Sequence, residues 1–380
     1  MKTKVLLVAT VTRHIQAFHL PYLQWLQEQG YETHVVTGDA GSGSLPYVDQ
    51  HIHIPMSRSP LSLGNLAALF ALRAVMQEHR YALVHCHTPV GGVVTRLAAL
   101  GMRHSPKIVY TAHGFHFYRG APWQNWLLYF PLELVLSWAT DLLITINQED
   151  YATAKRCGLA GGKVALVDGV GVDFTSFAPL SDLERNARRE SYGYTPEQLL
   201  IFSAAEFNKN KNHIVLLLAL AEIVKQHPDI KIKLLLAGDG ELLTPLQKYV
   251  ASSLGLADRV DFLGYRDDVA ELLPMCDLVA SASMREGLPV NIIEALACGL
   301  PVVASRVRGH VDLLQHGRNG MLVPLGLDSY QRFARSLRAV LRGIPGRRGT
   351  VARICRRSVA PYEVQNVMEQ VTKLYTELLR

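Results

Sequence analysis

The sequence of 380 residues has little charge, few cysteines and no long uninterrupted apolar run. Charged residues make up 19% of the chain and hydrophobic residues 49%, a balance that is typical of folded domains and argues against disorder. The cysteines show no paired spacing, so a disulfide scaffold is disfavoured and a reducing cytoplasm is the expected location. The five are Cys86, Cys157, Cys276, Cys298 and Cys355.

Segments that would insert into a membrane are also missing from the pattern. The first apolar run, Val5 to Val11, is too short for a signal peptide and no small-residue cleavage site follows it. The longest apolar stretch, Trp126 to Ile146, is interrupted by Pro131, Glu133 and Asp141, and therefore divides into a helix and a strand. We expect no transmembrane span.

Positive charge is concentrated at the end of the chain. Residues 332–380 contain eleven Lys and Arg against three Glu, a local excess of +8 beside a net charge of +6 for the whole chain. Such a segment would attract an anionic membrane surface. Its arginines also recur at helical spacing beside apolar residues, so solvated helix faces explain it equally well. No aromatic residues alternate with the basic ones, which disfavours nucleic acid as a partner.

Strand-like and helix-like segments alternate in two series, which predicts an α/β protein with two parallel sheets covered by helices. The glycine-punctuated stretch Val167 to Asp173 separates the series and is a predicted hinge. The predicted strands are Val5–Val11, Glu32–Thr37, Leu83–Cys86, Lys107–Thr111, Asp141–Asn147, Lys163–Val167, Leu199–Ala204, Lys231–Ala237, Val260–Leu263, Leu278–Ser281 and Pro301–Ser305.

The most informative segment runs from Glu286 to Ser305. Pro289 suits the first position of a helix and Gly299 suits its end, so the segment is predicted to be a loop, a short helix and a buried strand. Free N–H groups at a helix start attract an anion, and Glu286 and Glu294 lie beside that point. A carboxylate accepts hydrogen bonds from a vicinal diol, so a nucleotide sugar is the predicted ligand. Two solvated helix carboxylates are the alternative.

The order Glu-Gly-x-Pro-x-x-x-x-Glu-Ala-x-Ala-x-Gly-x-Pro-Val-Val-Ala in this segment resembles the motif of retaining glycosyltransferases of family 4. The resemblance covers nearly the whole chain. It implies a GT-B fold, in which two Rossmann-like domains face each other across a cleft and the last helix crosses back to the first domain. It further implies an acceptor domain of residues 1–170 with the crossing helix 361–380, and a donor domain of residues 171–360.

The same resemblance assigns donor-binding residues. Glu286 would bind hydroxyls of the sugar, Glu294 the ribose diol, and Lys211 the diphosphate. Many members carry an arginine five residues before this lysine, but the position is Glu206 here, which cannot neutralise phosphate; Lys209 is the nearest substitute. The remaining implied donor contacts are Gly238, Gly240, Tyr265, Gly287, Leu288, Pro289 and Val290.

Residues that directly follow strands of the first series are the other candidates, because parallel sheets bind ligands at their carboxyl edge. His113 follows Lys107–Thr111 and precedes Gly114, and the resemblance implies that it contacts the transferred sugar; His116 competes for this role. The loop after the first strand is cationic, which would suit a phosphate-bearing acceptor or a merely exposed loop. Its predicted acceptor-binding residues are Arg13, His14 and His19.

Two further histidines, His85 and His87, flank Cys86. Alternation along a strand turns both histidines to one face and the cysteine to the other, and no further ligands at zinc spacing accompany them. We expect no metal ion and no cofactor, because the nucleotide sugar would be a substrate.

The combined hypothesis is a metal-independent retaining glycosyltransferase of capsule, exopolysaccharide or O-antigen synthesis. It would move a hexose or N-acetylhexosamine from a nucleotide sugar, with UDP favoured, to an undecaprenyl-diphosphate-linked saccharide at the inner face of the cytoplasmic membrane. The alternatives are a nucleotide-sugar epimerase of the same architecture and a non-catalytic nucleotide-sugar-binding subunit. A dinucleotide oxidoreductase is disfavoured because no Gly-x-Gly-x-x-Gly follows the first strand.

Overall fold

The computed structural model describes residues 2–39, 44–57, 59 and 62–380, which form two compact units. The first unit comprises Met1–Gly171 and Gln365–Arg380, and the second comprises Val172–Val364. The chain enters the second unit inside the glycine-punctuated stretch, where Gly171 has a positive φ of 83°. Within the described residues, no helix combines the length and the apolar character that crossing a bilayer requires.

Seven short strands form the sheet of the first unit. They are β1 (Lys4–Ala9), β2 (Glu32–Thr37), β3 (Gln50–His53), β4 (Leu83–Cys86), β5 (Lys107–Ala112), β6 (Leu142–Thr145) and β7 (Lys163–Leu166). All pairings are parallel, in the order β3-β2-β1-β4-β5-β6-β7. The order reverses at β1, so the carboxyl ends of β1 and β4 flank the crevice where such sheets bind ligands.

Six strands form the sheet of the second unit, which is again parallel and again reverses its strand order at one strand. They are β8 (Leu199–Ala204), β9 (Ile232–Ala237), β10 (Val260–Gly264), β11 (Leu278–Ser281), β12 (Val302–Ser305) and β13 (Gly320–Val323). The parallel order is β10-β9-β8-β11-β12-β13, and it reverses at β8. The crevice of this unit therefore lies between the carboxyl ends of β8 and β11.

Helices connect the strands and cover the sheets, which explains why most strand residues are buried on both faces. In the first unit these are α1 (Thr12–Phe18), α2 (Leu20–Glu28), α3 (Gly64–His79), α4 (Pro89–Ala99), α5 (Trp123–Leu136) and α6 (Gln148–Cys157). The helices that come later in the chain are α7 (Asp182–Ser191), α8 (His213–Gln226), α9 (Leu243–Tyr249), α10 (Val269–Leu272), α11 (Val290–Ala297), α12 (His310–Leu313), α13 (Ser329–Gly343), α14 (Arg348–Ser358) and α15 (Val364–Leu379).

The last helix, α15, packs on the first sheet although the second unit precedes it in the chain. Its side chains Val371 and Tyr375 are buried in the same core as Val5 and Leu7 of β1. Gln370 adds polar contacts, since its Oε1 accepts from the Asp168 N–H at 3.1 Å. A helix far from β1 in sequence thereby completes the hydrophobic core of the first unit.

The predicted α/β class with two parallel sheets is confirmed, and most predicted strand ends lie within one or two residues of the observed ones. Two strands were not predicted. The edge strand β3 has the sequence Gln-His-Ile-His and is partly exposed, so its pattern lacks the apolar character of a buried strand. The edge strand β13 has four residues and begins with glycine, which also weakens its pattern.

Candidate functional site

Lys211 and Glu286 form the centre of a polar group in the second unit. Lys211 lies just before α8 and Glu286 in the loop after β11, and the distance from Nζ to Oε1 is 2.6 Å. They are 75 positions apart in the chain. They meet because the loops after β8 and β11 lie side by side where the strand order reverses. The structure thus places together the two residues that the sequence assigned to the diphosphate and the sugar.

Backbone hydrogen bonds hold these two loops together independently of the ion pair. The Met284 N–H donates to the Asn210 carbonyl at 2.7 Å, and the Asn210 side-chain amide donates to the Arg285 carbonyl at 3.0 Å. The Lys211 N–H in turn donates to Asn208 Oδ1 at 3.0 Å. The positions of the lysine and the glutamate are therefore set before any ligand binds, which lowers the cost of ordering them.

The helix after Glu286 begins one residue later than predicted. Pro289 is the residue before α11, with extended ψ of 108°, and Val290 is the first helical residue. The loop from Glu286 to Pro289 lies against Gly309, which has φ of +78°; a Cβ there would lie 2.6 Å from the Gly287 carbonyl oxygen. This glycine therefore permits a close backbone approach that fixes the amide-bearing start of α11.

Glu294 lies one turn into α11 with its side chain partly buried. Burial raises the pKa of its carboxyl group to about 7. Near neutral pH the group is consequently divided between its protonated and ionised forms, and only the ionised form offers both oxygens as acceptors to a diol.

This pKa leads to a prediction about donor binding. If Glu294 binds the ribose diol, as the resemblance implies, the affinity for a UDP-sugar, measured by calorimetry, should fall about tenfold when the pH is lowered from about 8 to about 6, because protonation removes one acceptor oxygen. The diphosphate diester of a UDP-sugar does not titrate in this range, so the change reports the protein. Glu294→Gln should bind more weakly and show a flat profile, while Glu197→Gln, at an exposed position, should keep the wild-type profile. If Glu294→Gln kept the same pH dependence of binding, a group other than Glu294 would have to cause it.

The other predicted donor residues occupy different positions around this centre. Lys209 is exposed, Leu288 is buried, and the Tyr265 side chain is 59% exposed. Gly238 and Gly240 have a packing function of their own: a Cβ on Gly238 would lie 2.1 Å from the Ala205 carbonyl oxygen, and one on Gly240 would lie 2.7 Å from that of Phe207. Both glycines let the loop after β8 pass directly over the turn after β9.

Arg308 is a cationic residue of this site that the sequence interpretation missed. It is 8% exposed, and its Nε donates to the Glu286 carbonyl at 3.0 Å. Glu206, at the expected arginine position, is exposed and accepts from the Asn208 side-chain amide at 3.0 Å. The rule that ligand-binding residues follow parallel strands would have found Arg308, because it lies three residues after β12.

In the first unit, His113 lies directly after β5 within a group of histidines. The ring of His113 is 4.9 Å from that of His14, and His19 stacks on His87 with 3.8 Å between centroids. Burial lowers the pKa of His113 to about 3 and that of His14 to about 4. Burial, followed by the neighbouring histidines, also holds the pKa of His19 well below its usual range. These imidazoles are neutral at physiological pH.

Two expectations for this region are therefore corrected. The segment after β1 is helix α1 and not a loop, and of its three predicted cationic residues only the exposed Arg13 carries a charge. His19 is 4% exposed, so it is unavailable as a surface cation. His116, the competitor of His113, stacks on Tyr129 of α5 with 4.6 Å between centroids.

An apolar cavity of about 760 Å³ opens at the carboxyl edge of the first sheet, between α3, α4 and α5. Its lining includes His113, Gly114 and Thr10 together with apolar residues such as Leu69 and Leu97. Its volume and lining are those of a small-molecule or lipid site.

Beside the cavity, α5 exposes an unusual number of large apolar side chains. Leu66 of α3, which lines the cavity, is itself 56% exposed. The exposed apolar residues of α5 and the turn after it are Trp123, Leu127, Leu128, Leu134, Val135 and Trp138. Contiguous exposed apolar surface of this kind marks a protein or membrane contact.

Several arginines of the basic carboxyl-terminal segment make internal contacts. Arg332 pairs with Asp328 at 2.7 Å, and Arg348 pairs with Asp277 at 2.6 Å. The Arg356 guanidinium donates to the carbonyls of Phe174 and Ala297 at 2.9 and 2.7 Å. Solvated helix faces with structural arginines therefore explain this charge better than a membrane-binding patch does.

Two sheets with nucleotide-binding strand order, and a lysine–glutamate pair before a helix start, define the class as an α/β protein with two Rossmann-like domains. The family profile of group 1 glycosyl transferases matches residues 184–348, and that of glycosyltransferase family 4 matches residues 22–170. EpsD of Bacillus subtilis (strain 168), described as a glycosyltransferase, is 42% identical over 86% of this chain and 84% of its own. The chain therefore belongs to the group 1 and family 4 glycosyltransferases and uses a nucleotide-sugar donor.

More distant similarities agree with this assignment. The Escherichia coli UDP-Gal:alpha-D-GlcNAc-diphosphoundecaprenol alpha-1,3-galactosyltransferase is 24% identical over 83% of this chain and 82% of its own. The crystal structure of Anabaena Alr3699/HepE with UDP and glucose superposes with a TM-score of 0.77 at 21% identity, over 99% of this chain and all of that one. The second similarity identifies the fold as GT-B.

Proposed function

We propose that this glycosyltransferase moves a hexose or N-acetylhexosamine from a UDP-sugar to an undecaprenyl-diphosphate-linked saccharide, with retention of the anomeric configuration. The observation that carries the donor part is the Lys211–Glu286 pair, held at 2.6 Å beside the start of α11. A diphosphate would take the lysine from its partner, and the released carboxylate would accept hydrogen bonds from sugar hydroxyls. Glu294 would then hold the ribose diol.

The positive charge for the diphosphate comes from this chain's own groups. Lys211 supplies a point charge, α11 supplies backbone N–H groups, and Arg308 stands in for the arginine that Glu206 replaces. We propose that no divalent ion is needed on the diphosphate, so UDP-sugar binding should persist in a chelator. The remaining donor contacts are the proposed ones at Lys209, Gly238, Gly240, Tyr265, Gly287, Leu288, Pro289 and Val290.

The proposed reaction is a front-face substitution. The bond from the anomeric carbon to the diphosphate oxygen breaks, and its electron pair leaves with the nucleoside diphosphate, whose charge Lys211 stabilises. The acceptor hydroxyl bonds to the same face of that carbon and passes its proton to the departing phosphate oxygen. His113, which the resemblance assigns to the transferred sugar, would act as a neutral imidazole because its pKa is lowered to about 3.

The apolar cavity supports the proposal that the acceptor is linked to a lipid. Its volume of about 760 Å³ and its mainly apolar lining suit an isoprenoid chain, and His113, which also lines it, would contact the saccharide part of the same molecule. The Escherichia coli relative is named for a diphosphoundecaprenol acceptor. We propose that the protein works at the inner face of the bacterial cytoplasmic membrane, in surface polysaccharide synthesis.

The function is tested by supplying UDP-sugars with membrane extract that contains lipid-linked saccharides, and by following UDP release. The purified product is then analysed by NMR for its anomeric configuration. Transfer with the donor's configuration supports the proposal, and an inverted product contradicts retention. A changed free nucleotide sugar without acceptor would indicate an epimerase, and binding without turnover would indicate a non-catalytic subunit.

Membrane contact through α5 is a separate prediction. Replacing Leu127 and Trp138, which are 68% and 86% exposed, by serine should weaken binding to anionic phospholipid vesicles at least about tenfold, because apolar side chains drive interfacial insertion. Vesicle co-sedimentation measures this. The control Leu327→Ser, in the second unit, removes a leucine that is even more exposed than Leu127 and should bind as the wild type does. If the α5 variant still bound the vesicles and high salt abolished the binding, the basic residues and not α5 would make the membrane contact.

A further inference from the structure

Four histidines converge at the carboxyl edge of the first sheet. His14 lies in α1, His19 directly precedes α2, His87 follows β4 and His113 follows β5. One ring nitrogen of each lies within 4.8 Å of one ring nitrogen of every other. The Nε2 atoms of His14 and His19 are 3.2 Å apart. Three separate chain segments thus direct imidazole nitrogens at one point.

Several of these nitrogens are buried without a hydrogen-bond partner. His87 is 1% exposed, and neither of its ring nitrogens has one; the same is true of His113 Nε2. Leaving a buried polar atom unsatisfied costs about 1–3 kcal/mol, so such atoms need an explanation. His85, next along β4, shows the ordinary solution, because its Nδ1 contacts the Tyr375 hydroxyl and its Nε2 contacts Thr111 Oγ1 at 2.7 Å.

The chemistry of the group favours a first-row transition ion. Each imidazole offers a ring nitrogen as a ligand atom, and among the described residues no carboxylate belongs to the group. Neutral imidazole suits Zn²⁺, Cu²⁺ or Ni²⁺, whereas Mg²⁺ and Ca²⁺ require oxygen ligands. A tetrahedral Zn²⁺ with bonds of about 2.0–2.1 Å places its ligand nitrogens roughly 3.3 Å apart. The Nε2 atoms of His14 and His19 hydrogen-bond to each other at 3.2 Å, so they already have nearly this separation, and a bound ion would replace that hydrogen bond.

We propose that His14, His19, His87 and His113 bind one Zn²⁺ ion in the first unit. The ion would tie α1 and the loop before α2 to the ends of β4 and β5, and so order the edge of the sheet that borders the cavity. Its four ligands all lie in the first unit, whereas the diphosphate-binding groups lie in the second. A metal bond through His113 Nε2 would leave Nδ1 of that ring for the sugar.

Equilibrium dialysis of the full chain, purified without a histidine tag and stripped with a chelator, tests the site. We expect about one Zn²⁺ per chain by mass spectrometric metal analysis, and visible absorption typical of tetrahedral Co²⁺ after substitution. His87→Ala and His14→Ala should each weaken Zn²⁺ binding at least about 100-fold, because ligand loss exceeds the effect of losing a supporting contact. His14 is only partly buried, so its variant should fold even where His87→Ala does not.

A matched control is available in the second unit. His213 is also buried, with both ring nitrogens unpartnered, and it stacks on Phe207. His213→Ala should retain one Zn²⁺ per chain. Wild-type protein that binds no Zn²⁺, or His14→Ala and His87→Ala proteins that bind it as tightly as the wild type, would overturn the assignment. Calorimetric UDP-sugar binding by the same samples reports the donor site separately, so failure of either proposal is distinguishable.

Discussion

Replacing Lys211 by alanine is expected to lower kcat for sugar transfer about 10²–10³-fold, the usual effect of losing one group that stabilises developing charge in a transition state. The lysine is poised for this role, since its ammonium lies 2.6 Å from Glu286 and its backbone is fixed by Asn208. UDP-sugar affinity should fall less than kcat, because charge on the leaving diphosphate grows during the reaction. Steady-state release of UDP, followed with and without acceptor, gives both parameters.

Lys225→Ala is the matched control for this experiment. It removes an exposed lysine from the last turn of α8, the helix that Lys211 precedes, and should leave transfer unchanged. Lys211→Arg keeps the charge but changes its reach and geometry, so partial activity is expected. If Lys211→Ala transferred sugar at the wild-type rate, the leaving group would have to be stabilised by Arg308 and the α11 amides without the lysine.

The proximity of Lys211 and Glu286 could be predicted from sequence, because it depends on two local segments and on the order of the strands. Glu286 and Glu294 lie within one loop-and-helix segment, and Lys211 follows the strand next to theirs. Strand order then brings the two segments together, as the rule for parallel sheets requires. Arg308 was missed although it follows the same rule, because nothing in its immediate sequence distinguishes it from a surface arginine.

The histidine group could not be predicted because no spacing along the chain encodes it. His87 has a close sequence neighbour in His85, yet its companions in the group, His14, His19 and His113, come from other segments. The sequence pattern around His14 and His19 predicts a cationic loop. The structure differs because His14 lies in α1 and His19 at the junction of α1 and α2, where burial lowers the pKa of both imidazoles. Convergence of this kind depends on tertiary structure alone.

The carboxyl-terminal arginines illustrate how composition can mislead. Their helical spacing indicated either a membrane surface or a solvated helix face, and composition could not decide between them. Arg348 and Arg356 instead bind a carboxylate and backbone carbonyls inside the second unit. The apolar surface of α5, by contrast, lies in a stretch for which the sequence predicts only a helix followed by a strand, because a sequence does not indicate which apolar residues find partners.

The largest expected effect on stability is that of Asp277→Ala, at a carboxylate 5% exposed just before β11. Its oxygens accept from Arg185 and Arg189 of α7 at 2.7 Å each and from Arg348 of α14 at 2.6 Å, and the Leu200 N–H donates to it at 2.8 Å. Removing it leaves three guanidinium groups crowded without their shared anion. The free energy of unfolding should therefore fall by about 3–5 kcal/mol.

The pH dependence of this contribution has a defined sign. Burial by itself would raise the pKa of Asp277, but the arginines outweigh it and hold the pKa below its usual range. The contribution is therefore present above the unfolded-state pKa and is lost as the pH falls through the lower folded-state value. The free energy of unfolding of the wild-type protein should therefore fall as the pH drops from the unfolded-state pKa to the folded-state pKa of Asp277. The Asp277→Ala protein should not show this contribution to the decrease.

Two optical probes can locate the effect, because the four tryptophans, at positions 25, 123, 126 and 138, all belong to the first unit. In urea, Asp277→Ala should lose far-UV circular dichroism before its tryptophan fluorescence changes. Asp328→Ala, which removes an exposed carboxylate from its pair with Arg332, is the control and should unfold as the wild type does. If Asp277→Ala also unfolded as the wild type does, the three arginines would have to be satisfied by solvent, and the ion cluster would add nothing to the stability of the second unit.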